Sequence, residues 1–267
     1  MSVWIRCRYE LAFELPTATP FIFMLRPRSG ANQWISQQKF EFKPEISADE
    51  FEDVFGNLCQ RVSAPAGHFE LHSETLAQTG EIDDELPSAT FMPVSTLPPA
   101  VMSYLFPSRY CESDSLSQLA AEITAGYQPG YSQAAAIVNW LRANIDYRPG
   151  SSNTLVSALQ VKDRGYGVCR DLAHLGIALC RALSIPSRMV AGYLHGLEPM
   201  DMHAWFEIYV GGRWYTFDPT QTDLLGARLS IAYGRDAADV ATFTQFGDPV
   251  IPTREFVSVE RFDNKPH

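Results

Sequence analysis

The sequence predicts an α+β protein in which a β-rich first half precedes a second half with helices first and a sheet later. Three observations predict this class. Up to about Arg109, short runs of apolar, β-branched and aromatic residues are broken by Pro, Gly and Asn, which is typical of antiparallel strands. From Ser115 to Leu183, apolar residues recur at helical spacing. After Pro186 the apolar period changes from that of a helix to the two-residue period of strands.

The first half is predicted to be an antiparallel β domain whose strands lie in four runs: Trp4 to Phe13, Phe21 to Leu25, Trp34 to Phe42 and His68 to Leu76. One helix is predicted from Ala48 to Val62, behind Ser47 as its N-cap, because its apolar residues keep helical spacing. The proline-rich stretch from Leu86 to Pro99 predicts an extended connection. We therefore predict an N-terminal β-rich domain over residues 1–110 and a second domain over residues 111–267.

The second half is predicted to contain three helices and then three strands. The helices are Leu116 to Ala125, Gln133 to Ile145 and a third that begins near Cys169 and ends before Pro186. The strands are Met189 to Leu194, His203 to Val210 and Arg213 to Phe217, with Gly211-Gly212 as a hairpin turn between the last two. This order predicts helices packed on a sheet.

Composition excludes several classes of protein. A net charge of -10 over 267 residues disfavours non-specific binding to nucleic acid. No stretch approaches the roughly 18 apolar residues of a membrane helix, and Glu10 and Glu14 come too early for a secretory signal. The five cysteines form no disulfide framework, which favours reduced thiols. We therefore expect a cytoplasmic protein without a membrane partner.

Cys169 is the candidate nucleophile because it lies where the short glycine loop Gly165-Tyr166-Gly167 runs into the third helix. At a helix N-terminus, free backbone N–H groups and the helix dipole favour a thiolate over a thiol. The alternative is that Cys169 is one more small apolar residue, since many cysteines are simply buried. The position of its partners decides between these interpretations.

The predicted hairpin supplies such partners. If Gly211-Gly212 is a two-residue loop, Val210 opposes Arg213 and Trp205 opposes Asp218. His203 then lies diagonally from Asp218 on one face of the sheet, where an imidazole can reach a carboxylate. A three-residue loop would instead place Asp218 on the opposite face.

Cys169, His203 and Asp218 together have the composition of a cysteine acyl-transfer triad. The thiolate attacks a carbonyl carbon, the histidine moves the proton to the leaving amine, and the carboxylate orients the histidine. The Cys169 backbone N–H can donate to the oxyanion, and Tyr147 and Tyr166 are candidates for the second donor.

The remaining histidines offer weaker signals. We interpret His174, which lies opposite the main apolar stripe of the third helix, as structural. His68 and His72 share a strand face, but two histidines without further ligands are a weak metal signal, so no metal site is predicted.

Three runs resemble the transglutaminase-like superfamily, specifically its bacterial members: Gly167 to Leu175, His203 to Glu207 and Trp214 to Thr220. The resemblance implies that Cys169 is the nucleophile, His203 the base and Asp218 the orienting carboxylate. It also implies a papain-like transglutaminase core, with helices packed on an antiparallel sheet, preceded by a β-rich, sandwich-like domain. The segment Tyr233 to Val240 resembles a trailing segment of these proteins. Nothing resembles an EF-hand loop, so no calcium or other cofactor is expected.

The resemblance implies thiol-dependent acyl transfer at an amide of a peptide or protein, with hydrolysis favoured. Two alternatives stay open: a protein-glutamine transglutaminase that uses an amine acceptor, and a non-catalytic binding or scaffold module of the same fold. Hydrolysis and transamidation share a thioester and differ only in whether water or an amine attacks it. A thiol-redox protein is disfavoured because no C-x-x-C occurs.

Overall fold

The first part of the chain is a sandwich of two antiparallel sheets. The computed structural model describes residues 2–30, 32–80, 88–151, 154–221 and 227–266. Its first six strands are β1 (Ser2–Leu15), β2 (Thr19–Arg26), β3 (Gln33–Lys43), β4 (Asp49–Glu52), β5 (Leu58–Ala64) and β6 (Gly67–Gly80). One sheet contains β1, β6 and β3 side by side, and the other contains β2, β5 and β4. The predicted β-rich character of this half is confirmed.

Alternation of apolar and polar residues explains why these strands form two facing layers. Every second residue of β1 from Val3 to Leu11 is buried, while its polar neighbours face outward. The two sheets meet through aromatic rings: Phe21 of β2 lies 5.1 Å from Phe13 and 6.1 Å from Phe69, centroid to centroid. The core of this half is therefore built largely from phenylalanine.

The helix predicted from Ala48 to Val62 behind Ser47 is wrong, because this segment forms β4, a turn and β5. In the turn, the Asp53 carboxylate accepts hydrogen bonds from the N–H groups of Phe55 and Asn57, each 2.8 Å long. Val54, which belongs to the apparent apolar stripe, is 92% exposed. Val62 and Ala64 are instead buried at the two-residue spacing of β5, so the local Asx turn and strand pairing prevailed.

After β6, the chain continues through the predicted connection into short 3-10 helices and the α-helices. Residues 86 and 87 of the predicted extended connection lie outside the described part of the chain, and the rest of it includes a short 3-10 helix, Val94–Thr96. Two further 3-10 helices are Pro99–Leu105 and Ser113–Ser115. The next elements are α1 (Ser117–Ile123), α2 (Tyr131–Asn144), β7 (Asp146–Tyr147), α3 (Ala158–Arg164), β8 (Tyr166–Gly167) and α4 (Cys169–Ala182).

A four-stranded antiparallel sheet, called here the core sheet, follows α4. Its strands are β9 (Ser187–Leu194), β10 (His203–Val210), β11 (Arg213–Phe217) and β12 (Arg228–Gly234), in the order β11-β10-β9-β12. Helix α4 packs on β10 closely enough that a Cβ on Gly176 would lie 2.6 Å from the Phe206 ring. Such a contact is possible only without a side chain at this position. The predicted α+β architecture of helices on an antiparallel sheet is confirmed.

The last two strands return to the sandwich. β13 (Phe243–Gln245) pairs with β2, and β14 (Arg254–Phe262) pairs with β1. The sandwich sheets therefore read β14-β1-β6-β3 and β13-β2-β5-β4. The sequence division assigned everything after residue 110 to the second domain, whereas these strands complete the sheets of the first. The boundary near residue 110 itself stays a prediction.

Candidate active site

Cys169 is the first residue of α4, as the sequence predicts. The preceding loop is shaped by Gly165, whose φ of 73° ends α3 in the left-handed region, and by the short parallel pairing of β8 with β7. Gly167 approaches α4 so closely that a Cβ there would lie 2.8 Å from the Asp171 Cβ. The two glycines of the motif thus bring the chain tightly into the helix start.

The buried side chain of Asp171, in the first turn of α4, holds the start of this helix in place. Its carboxylate is fully buried and accepts a hydrogen bond from the Val168 N–H at 3.2 Å. Arg164 reaches the same carboxylate at 2.5 Å, and Arg170 reaches it at 3.3 Å. These two cations balance a negative charge that would otherwise disfavour an anion at the N-terminus of α4.

His203 and Asp218 meet at the end of the core sheet. The hairpin has the predicted register, with Val210 opposite Arg213, and both turn glycines have positive φ, as a two-residue turn of this kind requires. His203 begins β10, and Asp218 follows β11. The His203 Nε2 and Asp218 Oδ2 lie 2.8 Å apart, and the two residues are 2% and 1% exposed.

The electrostatics of this pair favour an imidazolium beside a carboxylate. Burial opposes charge on His203, but attraction and a hydrogen bond from Asp218, with smaller contributions from the Cys169 thiol, raise the His203 pKa to about 9. Burial likewise opposes charge on Asp218, yet His203, Arg228 and Thr220 lower the Asp218 pKa to about 2. Because Nε2 is bonded to Asp218, Nδ1 is the ring nitrogen that remains for the Cys169 thiol.

Two residues that the sequence analysis missed hold the Asp218 carboxylate, and a third holds the Asp218 backbone. The Thr220 N–H and hydroxyl both donate to Asp218 Oδ1, at 3.0 and 2.8 Å. The Arg228 Nη2 lies 3.2 Å from Oδ2. Arg142 of α2 donates to the Asp218 carbonyl at 2.9 Å, which fixes the loop after β11. Only Thr220 lay within a quoted motif, and no local signal marks the two arginines.

Cys169 and His203 line a cavity of about 490 Å³. Its walls are mainly apolar and come from α4, the core sheet and two loops. The apolar lining includes Leu155, Val168, Met189, Leu197, Met202 and Val240. Tyr147, Arg170, Asp201 and Glu255 supply its polar and charged side chains. Glu255 lies on β14, so the sandwich forms part of the cavity wall.

Comparisons with known proteins match both parts of the chain. Residues 117–219 match the model of the transglutaminase-like superfamily, and residues 6–78 match that of the bacterial transglutaminase-like N-terminal region. A crystal structure described as a "Putative Cysteine Protease" from Cytophaga hutchinsonii is 35% identical, covers 100% of this chain and 93% of its own, and superposes with a TM-score of 0.89. The chain belongs to the transglutaminase-like superfamily.

Two further matches are more distant and cover 86% and 82% of this chain. An uncharacterized protein of Mycobacterium leprae is 28% identical over 246 residues, which are 86% of this chain and 87% of that protein. The periplasmic domain of TgpA from Pseudomonas aeruginosa is 17% identical, with a TM-score of 0.41 and coverage of 82% of this chain and 87% of that domain. The two family models and the Cytophaga hutchinsonii structure confirm the resemblance to bacterial transglutaminase-like proteins, and with it a cysteine-based catalytic family.

The two oxyanion candidates of the transglutaminase-like core lie in different places. Tyr147 lines the cavity, is 38% exposed, and has a pKa raised to about 12 by burial and by the nearby Cys169, Asp218 and Asp201. The Tyr166 ring instead lies between the guanidinium groups of Arg148 and Arg164, 4.6 and 4.8 Å from its centroid. The described lining of the cavity does not include Tyr166.

The described ranges contain neither a candidate metal site nor a membrane-spanning helix. There, no cluster of three or more His, Cys, Asp or Glu residues could hold a metal ion. His68 and His72 both contact Glu70, at 3.0 and 2.9 Å. No helix within residues 2–30, 32–80, 88–151, 154–221 and 227–266 is long and apolar enough to cross a membrane. The cytoplasmic location stays a prediction.

His174 of α4 forms a hydrogen bond with the trailing segment Tyr233 to Val240. The His174 ring is fully buried in α4, and its Nδ1 faces the Val156 carbonyl at 3.1 Å. Its Nε2 accepts a hydrogen bond from the Ala237 N–H at 3.1 Å, which fixes a neutral tautomer. Tyr110 stacks on the ring at 5.3 Å. The segment from Tyr233 to Val240 is therefore hydrogen-bonded to the helix that begins with Cys169.

His174 is expected to make folding sensitive to acid. Burial lowers its pKa to about 4, against weaker opposing effects of Asp236 and Val156. Between pH 6.5 and 4 the unfolded chain binds the extra proton, so the free energy of unfolding falls as the pH falls, by about 3 kcal/mol in total. Urea unfolding at half-unit pH steps measures this slope. His203 acts with the opposite sign, since its stabilisation is lost as the pH rises toward 9.

The matched variant is His174→Asn, which retains one donor and one acceptor but does not titrate. We expect its unfolding free energy to be lower at neutral pH and nearly flat between pH 6.5 and 4. An unchanged slope in His174→Asn would contradict the assignment of the acid sensitivity to this ring.

Proposed function

We propose that the protein is a cysteine hydrolase that cleaves an amide bond of a peptide or protein with Cys169, His203 and Asp218. One observation carries the proposal: a buried carboxylate holds a buried imidazole beside a thiol at a helix N-terminus, at the wall of a cavity. Perturbed titratable groups that converge in a cleft are typical of active sites. Family membership supports a cysteine as the nucleophile.

The chemistry follows from this arrangement. The Cys169 sulfur attacks the carbonyl carbon of the amide, and the electron pair moves onto the carbonyl oxygen. When the tetrahedral intermediate collapses, the C–N bond breaks and imidazolium His203 gives its Nδ1 proton to the leaving amine. Neutral His203 then takes a proton from water, which attacks the thioester and releases Cys169 and a carboxylic acid. Asp218 holds the ring in position at each step.

The lining of the cavity supports a substrate with an apolar side chain beside the amide. Most of the side chains around Cys169 and His203 are aliphatic or Met. Apolar walls exclude water and bind apolar surface, at about 25 cal/mol for each Å² that is buried. A polar or charged substrate side chain would lose hydration there without compensation.

Hydrolysis is favoured over transamidation because the relative from Cytophaga hutchinsonii, 35% identical, is described as a "Putative Cysteine Protease". A protein-glutamine transglutaminase remains the second candidate, since the same thioester reacts with an amine. A binding module without catalysis is the third, and thiol reactivity separates it from both enzymes.

Tyr147 is proposed as the second oxyanion donor. It lines the same cavity as Cys169, and its raised pKa keeps the phenol protonated, and so able to donate, at neutral and moderately alkaline pH. The Cys169 backbone N–H is the first donor. Tyr166 is no longer favoured, because its ring stacks on two guanidinium groups outside the cavity lining.

The first prediction of this proposal concerns thiol reactivity. Iodoacetamide at pH 6 to 7 is expected to alkylate Cys169 at least about tenfold faster than any other cysteine, because a thiolate beside imidazolium reacts and a protonated thiol does not. The other four cysteines are buried, and burial raises the pKa of each: Cys7, Cys59, Cys111 and Cys180. Peptide mass spectrometry gives each rate.

His203→Ala is expected to remove this early reactivity, whereas His195→Ala, which changes a histidine outside the pair, keeps it. Equal and slow labelling of all five cysteines would favour the scaffold alternative and contradict the proposed triad.

The second prediction concerns the acyl acceptor. Incubation with a library of glutamine-containing peptides, with and without a primary amine, is expected to yield hydrolysed products in both samples, identified by mass. Cys169→Ala should abolish every product, because the other four cysteines are buried and cannot replace the nucleophile. Amine-linked products would overturn the preference for hydrolysis while leaving the triad in place.

The third prediction isolates the oxyanion donor. Tyr147→Phe is expected to lower the turnover of any cleaved peptide by about 100-fold with little change in KM, because the donor acts in the transition state. Its alkylation by iodoacetamide should stay unchanged, since that displacement forms no oxyanion. Tyr166→Phe serves as the matched control and should turn over normally. Equal turnover in the two variants would refute the role of Tyr147.

A further inference from the structure

Arg228 is a buried cation at the carboxylate of the proposed triad. It begins β12, its side chain is 5% exposed, and its Nη2 lies 3.2 Å from Asp218 Oδ2. The same oxygen is 2.8 Å from His203 Nε2. One carboxylate oxygen therefore lies against two nitrogen donors from two different strands, while Thr220 occupies the other oxygen. The Asp218 carboxylate thus takes part in three hydrogen bonds, one with His203 and two with Thr220, and forms an ion pair with Arg228.

The surroundings hold Arg228 in this position. Its guanidinium lies 5.4 Å from the centroid of the Trp205 ring, and the same indole stacks against His203 at 6.1 Å. Trp205 in turn fits over Gly192, where a Cβ would lie 2.8 Å from the indole. Since β12 pairs with β9 and β9 with β10, the sheet itself sets the spacing of Arg228 and His203.

We propose that Arg228 is a positioning residue that sets the pH range in which the Cys169 thiolate and His203 imidazolium coexist. The inference rests on the proposed function and names a further residue of that site. Arg228 acts through its contact with the Asp218 carboxylate and through its charge.

Charge balance gives the direction of the effect. Thiolate, imidazolium and carboxylate together have one net negative charge, and Arg228 neutralises it within a buried cluster. Loss of the thiol proton makes the cluster more negative, and so does the later loss of the imidazolium proton. A fixed cation favours both losses. Arg228 therefore lowers both the pH at which the thiolate forms and the pH at which the imidazolium loses its proton. It does not change which groups form the ion pair.

Other charged and titratable groups face the site from every neighbouring element: Arg142 on α2, Tyr147 on β7, Cys169 and Arg170 on α4, Asp201 before β10, and Glu255 on β14. Arg142 contacts the main-chain carbonyl of Asp218, and the other side chains line the cavity. A substitution at position 228 leaves all of them unchanged. A shift in the pH profile of that variant therefore reports the charge of Arg228.

The test measures the rate of Cys169 alkylation by iodoacetamide from pH 4 to 10, which requires no knowledge of the substrate. Arg228→Met removes the charge with little change in volume. We expect both inflections of its profile to move upward by about one to two pH units. Arg228→Lys retains the charge and is expected to restore the wild-type inflections to within about half a unit.

A merely structural role would lower the thermal midpoint of Arg228→Met without moving either inflection, and that result overturns the proposal. If Arg228→Met does not fold, Arg228→Gln is measured in its place, since it keeps hydrogen-bond donors and lacks the charge. If neither neutral variant folds, Arg228→Lys decides: a profile displaced by a full unit overturns the proposal, and an undisplaced one supports it.

The wild-type profile separates this inference from the proposed function. A wild-type Cys169 that is no more reactive at pH 6 than the buried cysteines overturns both. A reactive wild-type Cys169 whose profile is the same in Arg228→Met overturns only the role of Arg228. The upward shift with rescue by lysine supports both.

Discussion

The buried carboxylate of Asp218 is the constraint on which the site depends. An ionised carboxylate loses several kcal/mol of hydration on burial, so it persists only where donors surround it. Here His203 comes from one strand, Arg228 from another, and Thr220 from the loop that follows Asp218. These donors are spread over the core sheet, so the sheet must be complete before the carboxylate is satisfied. Removing one partner of such a group typically costs about 3 to 5 kcal/mol.

The position of Cys169, the proposed nucleophile, depends on a second set of buried polar contacts along α4. Arg181, in the last turn, donates to the carbonyls of Ser187 and Arg235 at 2.7 Å each, and also contacts the Phe106 carbonyl at 3.1 Å. His174 accepts from the Ala237 N–H in the middle of the helix. The trailing segment and the entry to β9 are thus bonded to the helix that presents Cys169. Because both contacts lie on α4, they set its position relative to the core sheet.

Local patterns predicted the parts of this site that lie close together in the sequence. The hairpin register follows from two glycines, so the meeting of His203 and Asp218 could be derived, and the start of α4 follows from its glycine loop and apolar stripe. Arg228 could not be found, because β12 joins the sheet beside β9, more than 30 residues earlier. The same reason hid β14, which pairs with β1 across nearly the whole chain. Around Val54, helical spacing misled because Val54 itself is 92% exposed and Val62 is buried as a strand residue.

The N-terminal sandwich acts on the site through strands rather than through catalytic groups. Gln33 of β3 exchanges side-chain hydrogen bonds with the backbone of Ser230, at 2.8 and 2.9 Å, and Asn57 does the same with Tyr233, at 2.8 Å each. Both contacts hold β12, the strand that begins with Arg228. On the opposite side of the site, β14 brings Glu255 to the cavity, where the Tyr9 hydroxyl donates to it at 2.5 Å. The sandwich therefore sets both the cation behind Asp218 and one wall of the cleft, which gives a physical reason for the two parts to occur together in this family.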